Sequence, residues 1–310
     1  MTELDSAVWA NEPGWLQKKR QLAGMLQGRF PKQTDQENWL KAWQGPATAN
    51  RAAGWLTHTG KDYVALPLDR AVNSYSEMLQ ENLMEKALFW QDGQLNATHL
   101  NRLDGGQFIY VPDHSVVDQP IRLKPTLELQ NPHTVIIVGS GAQVTIEETA
   151  TITSTAPVFA GVEILIGTGA QVRYRQFNCF TCPRAYQAVH SYQARGSKLW
   201  LEYGQVSAVN VTTSLYSFLD GHHTNWTAQA AIKAVKGCQN VYPVLDGYGV
   251  GTQGSLQLWG ITAPGANLQL NALKTGSGEP LQLHDQQTRL TKNEDLKSHL
   301  PANSWLRSKL

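Results

Sequence analysis

Gly139-Ser140-Gly141-Ala142-Gln143-Val144-Thr145 returns 28 residues later (167 − 139) as Gly167-Thr168-Gly169-Ala170-Gln171-Val172-Arg173. Each copy is a small glycine turn that runs into an alternating apolar–polar stretch, the period that puts successive side chains on opposite faces of a strand. Fainter echoes follow at Gly196-Ser197-Lys198-Leu199, Gly254-Ser255-Leu256-Gln257-Leu258 and Gly265-Ala266-Asn267-Leu268-Gln269-Leu270. Short β-branched runs bounded by glycine surround them: Phe108-Ile109-Tyr110-Val111, Val135-Ile136-Ile137-Val138, Val162-Glu163-Ile164-Leu165-Ile166 and Val172-Arg173-Tyr174. No helical pattern separates these runs, which argues against βαβ units. One such unit cannot bury its apolar face alone, so copies stack and their turn glycines line up. That is the sequence form of a β-solenoid. An ordinary sandwich is the competing all-β reading, and the near-identical glycine turn favours the solenoid.

Upstream of Gly105-Gly106 the pattern is helical. Asn11 and Pro13 start a helix with Trp15, Leu22 and Leu26 on one face. Thr34-Asp35-Gln36-Glu37 reads as a capping box before Trp39, Leu40 and Trp43. A second, Ser74-Tyr75-Ser76-Glu77, precedes Leu79, Leu83, Ala87 and Trp90 at helical spacing. Six of the ten tryptophans fall in this segment, where they anchor helices to each other and to the β region.

Composition narrows the function classes. Of 310 residues 41% are apolar, enough for a sizeable core, and only 16% are charged. The net charge is +1, and no basic cluster exceeds Lys18-Lys19-Arg20, so nucleic acid and membrane surfaces are poor partners. No apolar run approaches a bilayer span. The opening Met1-Thr2-Glu3-Leu4-Asp5-Ser6 does not read as a signal peptide. Three cysteines make no disulfide framework, which suits a reducing compartment.

Several stretches then carry a family resemblance. Val162 through Tyr174 is a strand, a small-residue turn and a second strand; Gly106-Gln107-Phe108-Ile109-Tyr110-Val111-Pro112 with Gln119-Pro120-Ile121-Arg122-Leu123 precedes it, and Val135-Ile136-Ile137-Val138 runs on to Glu147-Glu148. Glu12-Pro13-Gly14-Trp15-Leu16, Phe30-Pro31 and Glu37-Asn38-Trp39 stand at the start. In this order they resemble the SufD/SufB family of iron–sulfur cluster assembly proteins. The resemblance implies a mainly β chain, a right-handed parallel β-helix (β-solenoid) with an N-terminal α-helical region. Residues 1–104 would be helical, 105–275 the β-helix core and 276–310 a short tail. It implies a cytoplasmic, non-enzymatic scaffold that pairs with a SufB-like paralogue or with itself. No cofactor would be tightly bound; iron or an iron–sulfur cluster would pass transiently at a partner interface. The family's closing Ser-His-Gly-Ala motif does not occur here, so docking of the SufC ATPase is not implied and the chain reads as a short variant. Thr291-Lys292-Asn293-Glu294-Asp295-Leu296-Lys297 reads as the cap of a short helix. Trp305, Leu306 and Leu310 are apolar enough to join an interface.

Four side chains are candidate metal ligands: Cys179, Cys182, His222 and His223. Cys179-Phe180-Thr181-Cys182 could supply two thiolates, with Cys238 as a third if its coil lies near, although a buried structural pair is the plainer reading. Asp220-Gly221-His222-His223-Thr224 is the densest set, but adjacent strand residues diverge, so chelation needs a turn, which Gly221 would allow. Glu147, Glu148 and Glu163 could form the paired carboxyls of a glycosidase, which keeps a cytosolic β-solenoid carbohydrate-active enzyme as an alternative. A non-catalytic structural pairing protein is the other. Gly247-Tyr248-Gly249-Val250-Gly251 lacks a following lysine and reads as a coil turn, not a phosphate loop.

Overall fold

The computed structural model describes Trp9 and residues 11–30, 52–276, 282–290 and 295–310. The capping box at Thr34 to Glu37, with Trp39, Leu40 and Trp43, lies outside the described residues. So do Pro31 and Glu37-Asn38-Trp39 of the resemblance and Thr291 to Glu294 of the tail.

A short entry, β1 (Ala52–Ala53), β2 (His58–Thr59) and β3 (Val64–Pro67), leads into two parallel sheets that grow alternately. The first sheet contains β4 (Gly105–Val111), β7 (Pro132–Val138), β9 (Val158–Ile166), β11 (Arg184–Gln193), β13 (Asn210–Leu219), β15 (Cys238–Gly247), β17 (Asn267–Leu270) and β18 (Leu273–Thr275). The second contains β5 (Ile121–Leu123), β6 (Thr126–Leu127), β8 (Gln143–Ile152), β10 (Gln171–Phe180), β12 (Lys198–Ser207), β14 (Asn225–Ala234), β16 (Gln253–Thr262) and β19 (Gln282–Leu290). Each strand pairs with the equivalent strand one coil away, which makes a parallel β-solenoid of about seven turns. Gln143, Gln171, Lys198, Asn225, Gln253 and Gln282 lie on successive rungs, so a coil takes 27 to 29 residues.

The repeat seen in the sequence is one corner of this coil. His114, Gly141, Gly169, Gly196, His223 and Gly251 occupy equivalent positions, all with left-handed φ between 57° and 72°. The first five each donate an amide hydrogen bond of 2.8 Å to the carbonyl preceding the equivalent residue one coil on. Glycine adopts that conformation without a Cβ penalty. Where histidine takes it, the next corner must still be glycine: a Cβ on Gly141 would lie 2.6 Å from the His114 ring, and one on Gly251 2.5 Å from His223.

Inside, equal residues stack in columns. Val162, Val189 and Leu215 follow one another on the first sheet, and Val144, Val172, Leu199 and Trp226 on the second. These are all buried in one continuous core.

The outer faces are covered differently. Helices α1 (Gly14–Gln27), α2 (Leu68–Ser74), α3 (Ser76–Asn82) and α4 (Gln94–Asn101) cover the early rungs of the first sheet, with Leu68, Leu79 and Leu100 packed in one cluster with Phe108, Val135, Phe159 and Ala188. On the second sheet, α5 (Leu296–His299) and a 3-10 turn (Trp305–Ser308) set Leu296, Leu300 and Leu306 against Ala231 and Trp259. Leu306 is therefore core of this chain and not free for a partner. Strand pairing also continues past Ala272, because β19 adds a rung to β16.

The helical reading needs correction in detail. In α1 the buried face is Leu16, Lys19, Arg20 and Ala23, whereas Leu22 and Met25 are 51% and 64% exposed. Two cations face inward because both are satisfied there: Lys19 bonds the Leu83 carbonyl and pairs with Glu85, and Arg20 bonds Glu12 and the carbonyls of Leu100, Asn101 and Leu103. The capping box at Ser74 does not form. Tyr75 separates α2 from α3, neither helix end has a side-chain cap, and Ser76 Oγ instead accepts from Trp15 Nε1 at 2.8 Å.

Two turn glycines give a paired test. Gly169 has left-handed φ but open space around an added Cβ, so Gly169→Ala should cost only about 1 kcal/mol. A Cβ on Gly249 would lie 2.0 Å from the Gly221 carbonyl oxygen, so Gly249→Ala should cost about 3 kcal/mol or more. Chemical denaturation of the two variants should reproduce that order.

Candidate functional site

The four candidate ligands do not converge. Cys179 lies on the second sheet between Thr151 and Val206 on neighbouring rungs. Cys182 is buried beyond the end of β10, clustered with Leu127, Ile152 and Phe180, and its thiol points to the Arg184 carbonyl at 3.4 Å. Burial raises both thiol pKa values, that of Cys182 to about 11, which favours the neutral thiol over the thiolate a metal needs. Cys238 starts β15 on the other sheet, its Sγ 3.5 Å from Asn240 Oδ1. His222 and His223 do sit in an exposed turn. His222 Nδ1 is used there, accepting from the Val250 amide at 2.9 Å. The turn's unusual backbone is carried by His223 itself, while Gly221 is required for space: its Cβ would lie 2.0 Å from the Arg195 nitrogen. Among the described residues no three His, Cys, Asp or Glu side chains are grouped to hold a metal ion.

The three glutamates also separate. Strand alternation turns Glu147 outward and Glu148 into the solenoid, and Glu163 lies on the outer face of the opposite sheet. Glu147 belongs to a ladder that climbs the second sheet: Arg122 to Glu147 at 3.1 Å, Glu147 to Arg175 at 2.8 Å and Arg175 to Glu202 at 2.7 Å. Glu202 ends it by accepting from the Trp305 amide at 2.9 Å, so the ladder grips the C-terminal turn. Beside it, Gly204 makes room for Leu306, whose methyl would lie 2.9 Å from an added Cβ.

Glu163 is fully buried under the helices and organises them. Oε1 accepts from the Met84 amide at 2.7 Å and lies 2.8 Å from His133 Nε2; Oε2 accepts from the Leu88 amide at 3.2 Å. His133 Nδ1 is 3.0 Å from His99 Nε2. This explains why the helix expected to run on to Trp90 stops at Asn82: Met84 turns left-handed, at φ 55°, to present its amide to Glu163. Gly161 admits the two rings, since a Cβ there would lie 2.4 Å from His133 Nδ1 and 2.9 Å from His99 Nε2. Burial, reinforced by His133, holds the His99 pKa well below the ordinary histidine value. Sequence reading missed this network, although a glycine in mid-strand and a glutamate inside an apolar run were both signals.

The solvent-facing feature is the far half of the first sheet, beyond the helices. Tyr192 and Phe218 pack with ring centroids 5.8 Å apart, and Phe218 and Tyr248 at 5.3 Å. Tyr192 Oη donates to Asp220 and Tyr216 Oη to Asp246, both at 2.6 Å. Tyr242, Tyr248 and Leu273 are exposed by 37%, 46% and 54%. The sheet ends just past them at β17 and β18, with no further strand paired to either among the described residues.

Fold and site together define a parallel β-solenoid whose first sheet is covered by helices on its early rungs and open on its far half, with a C-terminal cover on the second sheet. No protein-family model matches the chain, and no curated protein matches it.

Two outcomes test this geometry. Glu163→Gln puts an amide donor against the donors of Met84, Leu88 or His133. It should cost about 3 kcal/mol and speed hydrogen exchange at residues 83–90 while the solenoid strands keep their protection. His190, held between the Ala87 carbonyl at 3.2 Å and Ser214 Oγ at 2.9 Å, has its pKa lowered to about 4, chiefly by burial. An unfolded histidine titrates near 6.5, so between about pH 6.5 and 4 the unfolded chain takes up the extra proton and stability falls as pH falls. Asp104 acts oppositely: burial raises it to about 7, so its contribution declines as pH rises through that value. The stability advantage of wild type over His190→Gln should therefore shrink by at most about 2 kcal/mol from pH 7 to 5, read from paired thermal melts.

Proposed function

We propose that this chain is a SufD-like scaffold of the Suf iron–sulfur cluster assembly machinery, pairing with a SufB-like partner through the far end of its solenoid. The reading begins from the motif order that resembles the SufD/SufB family. The observation that carries it is the bare last rung. The parallel edges of β17, β18 and β19 have no strand beyond them among the described residues, and Leu273, Tyr242 and Tyr248 stand exposed beside them. An unpaired edge offers backbone donors and acceptors to a further strand, and exposed aromatics supply the apolar centre of an interface. Iron or a cluster would be cargo, and with no grouped ligand set among the described residues it would draw ligands from the partner too. The reducing cytoplasm is the compartment this role requires.

The test is co-expression with the SufB-like protein of the same genome, followed by light scattering. A one-to-one complex is expected at micromolar concentration, and Leu273→Lys should weaken it at least about tenfold, the cost of one desolvated charge at an interface core. A chain that stays monomeric, alone and with that partner, would sink the proposal.

A further inference from the structure

Outward acids are matched differently on the two sheets. On the second sheet Glu147 is paired with Arg122 and Arg175, and Glu202 with Arg175. On the far half of the first sheet tyrosine takes the place of arginine. Asp220 Oδ2 accepts from Tyr192 Oη and Asp246 Oδ2 from Tyr216 Oη, both at 2.6 Å, and Asp246 Oδ1 accepts from Thr275 Oγ1 at 2.9 Å. A neutral hydroxyl orients a carboxylate and leaves its charge unmatched. The tyrosines keep their protons, since burial and then the acid itself lift Tyr192 to about 12 and push Tyr216 up as well. Neither aspartate forms an ion pair with a described residue, and residues 210–220 and 238–248, which build these two rungs, hold no Lys or Arg. Tyr192, Phe218 and Asp246 follow one another in a single column, so the carboxylate lies one rung from the Phe218 ring. That ring is tilted 40° to Tyr192 and 63° to Tyr248, so the three rings turn their faces in more than one direction and make no flat shelf.

We infer that this face docks an arginine-bearing segment of another protein, whose guanidinium groups lie against the rings of Phe218 and Tyr248 and meet the carboxylates of Asp220 and Asp246. Charge complementarity names the occupant. Aromatic faces beside unmatched carboxylates favour a cation, and a planar guanidinium can stack on a ring while it donates to a carboxylate. A neutral segment or a sugar would cover the rings and leave both charges unmatched. A second copy laid face to face would bring one acidic patch onto another, because an isologous contact uses the same surface on both sides. The inference concerns the face of the sheet and stands whether or not a SufB-like protein takes the edge.

The probe is a dye-labelled, end-capped Gly-Arg-Gly-Arg-Gly peptide, titrated with the full chain and read by fluorescence anisotropy. It should bind with a dissociation constant of about 1 mM or tighter, and more weakly as salt rises. The same peptide with citrulline for arginine, uncharged and of similar shape, should bind at least about tenfold more weakly. Asp220→Asn with Asp246→Asn keeps an oxygen for each tyrosine hydroxyl and should weaken the arginine peptide about fivefold or more. Tyr248→Leu keeps an apolar side chain at this exposed position, removes the π face and should weaken it about threefold. Equal binding of the arginine and citrulline peptides, binding that survives both sets of substitutions, or no binding at about 1 mM would overturn the inference. A dimer of the chain alone that Tyr248→Leu disperses would give the face to a second copy and overturn it too. The citrulline comparison uses the unaltered chain, so it decides the matter even where a variant folds poorly.

Discussion

The whole molecule depends on one backbone geometry, the left-handed corner that lets each coil seat on the last. A parallel rung forms only if the turn before it has the same length and shape as the turn below. Here the amides of His114, Gly141, Gly169, Gly196 and His223 join successive corners, which fixes the register of every strand that follows. Because side chains alternate along a strand, a slip of one residue at any corner would exchange core and surface along that rung. The corner therefore decides which residues are inside, and the glycine repeat is the trace of that constraint.

Once register is set, the outer faces become the variable part. The early rungs of the first sheet carry Phe108, Val135 and Phe159 outward, so they need a cover, and the helices supply it. Apolar contact alone would let helices slide along a smooth parallel sheet. Glu163 removes that freedom by holding the Met84 and Leu88 amides, and Gly161 opens the space in which His133 and His99 complete the contact. On the second sheet Glu202 and Gly204 do the same for the C-terminal turn, one by hydrogen bond and one by shape. Both covers are thus registered by one buried or half-buried acid next to one strand glycine.

This division explains what could be read from the sequence. The solenoid was legible because its constraint is local and repeated: Gly139 to Thr145 and Gly167 to Arg173 differ by one small side chain in the turn and one outward residue in the strand. The buried face of α1 was not, because Lys19 and Arg20 look solvated until their partners, Glu85, Glu12 and the carbonyls near residue 100, are brought beside them. The break after Asn82 was hidden for the same reason. Leu79, Leu83, Ala87 and Trp90 keep helical spacing and are all buried, yet the acid that ends the helix comes from a strand some 80 residues away. Whether Cys179, Cys182, His222 and His223 converge could not be read from their spacing, because it depends on which coils and faces carry them. In a solenoid the relevant neighbour of a residue is the one a coil later.

The two ends of the stack are unequal, and that inequality gives the proposed pairing its direction. At the near end the chain reverses: β3 runs antiparallel to β4, β1 runs antiparallel to β6, and the outermost strands, β1 and β2, are two residues long. Short reversed strands blunt an edge, since they offer few backbone groups in a register another chain could extend. At the far end β17 and β19 keep the parallel register of the coils beneath them, and β19 runs for nine residues. At the near end only the three-residue β5 keeps a parallel edge, so the far edge preserves the geometry that built the solenoid over more of its length. A partner that continues it inherits the register of the corner column, and the exposed aromatics beside it add apolar area at the same place.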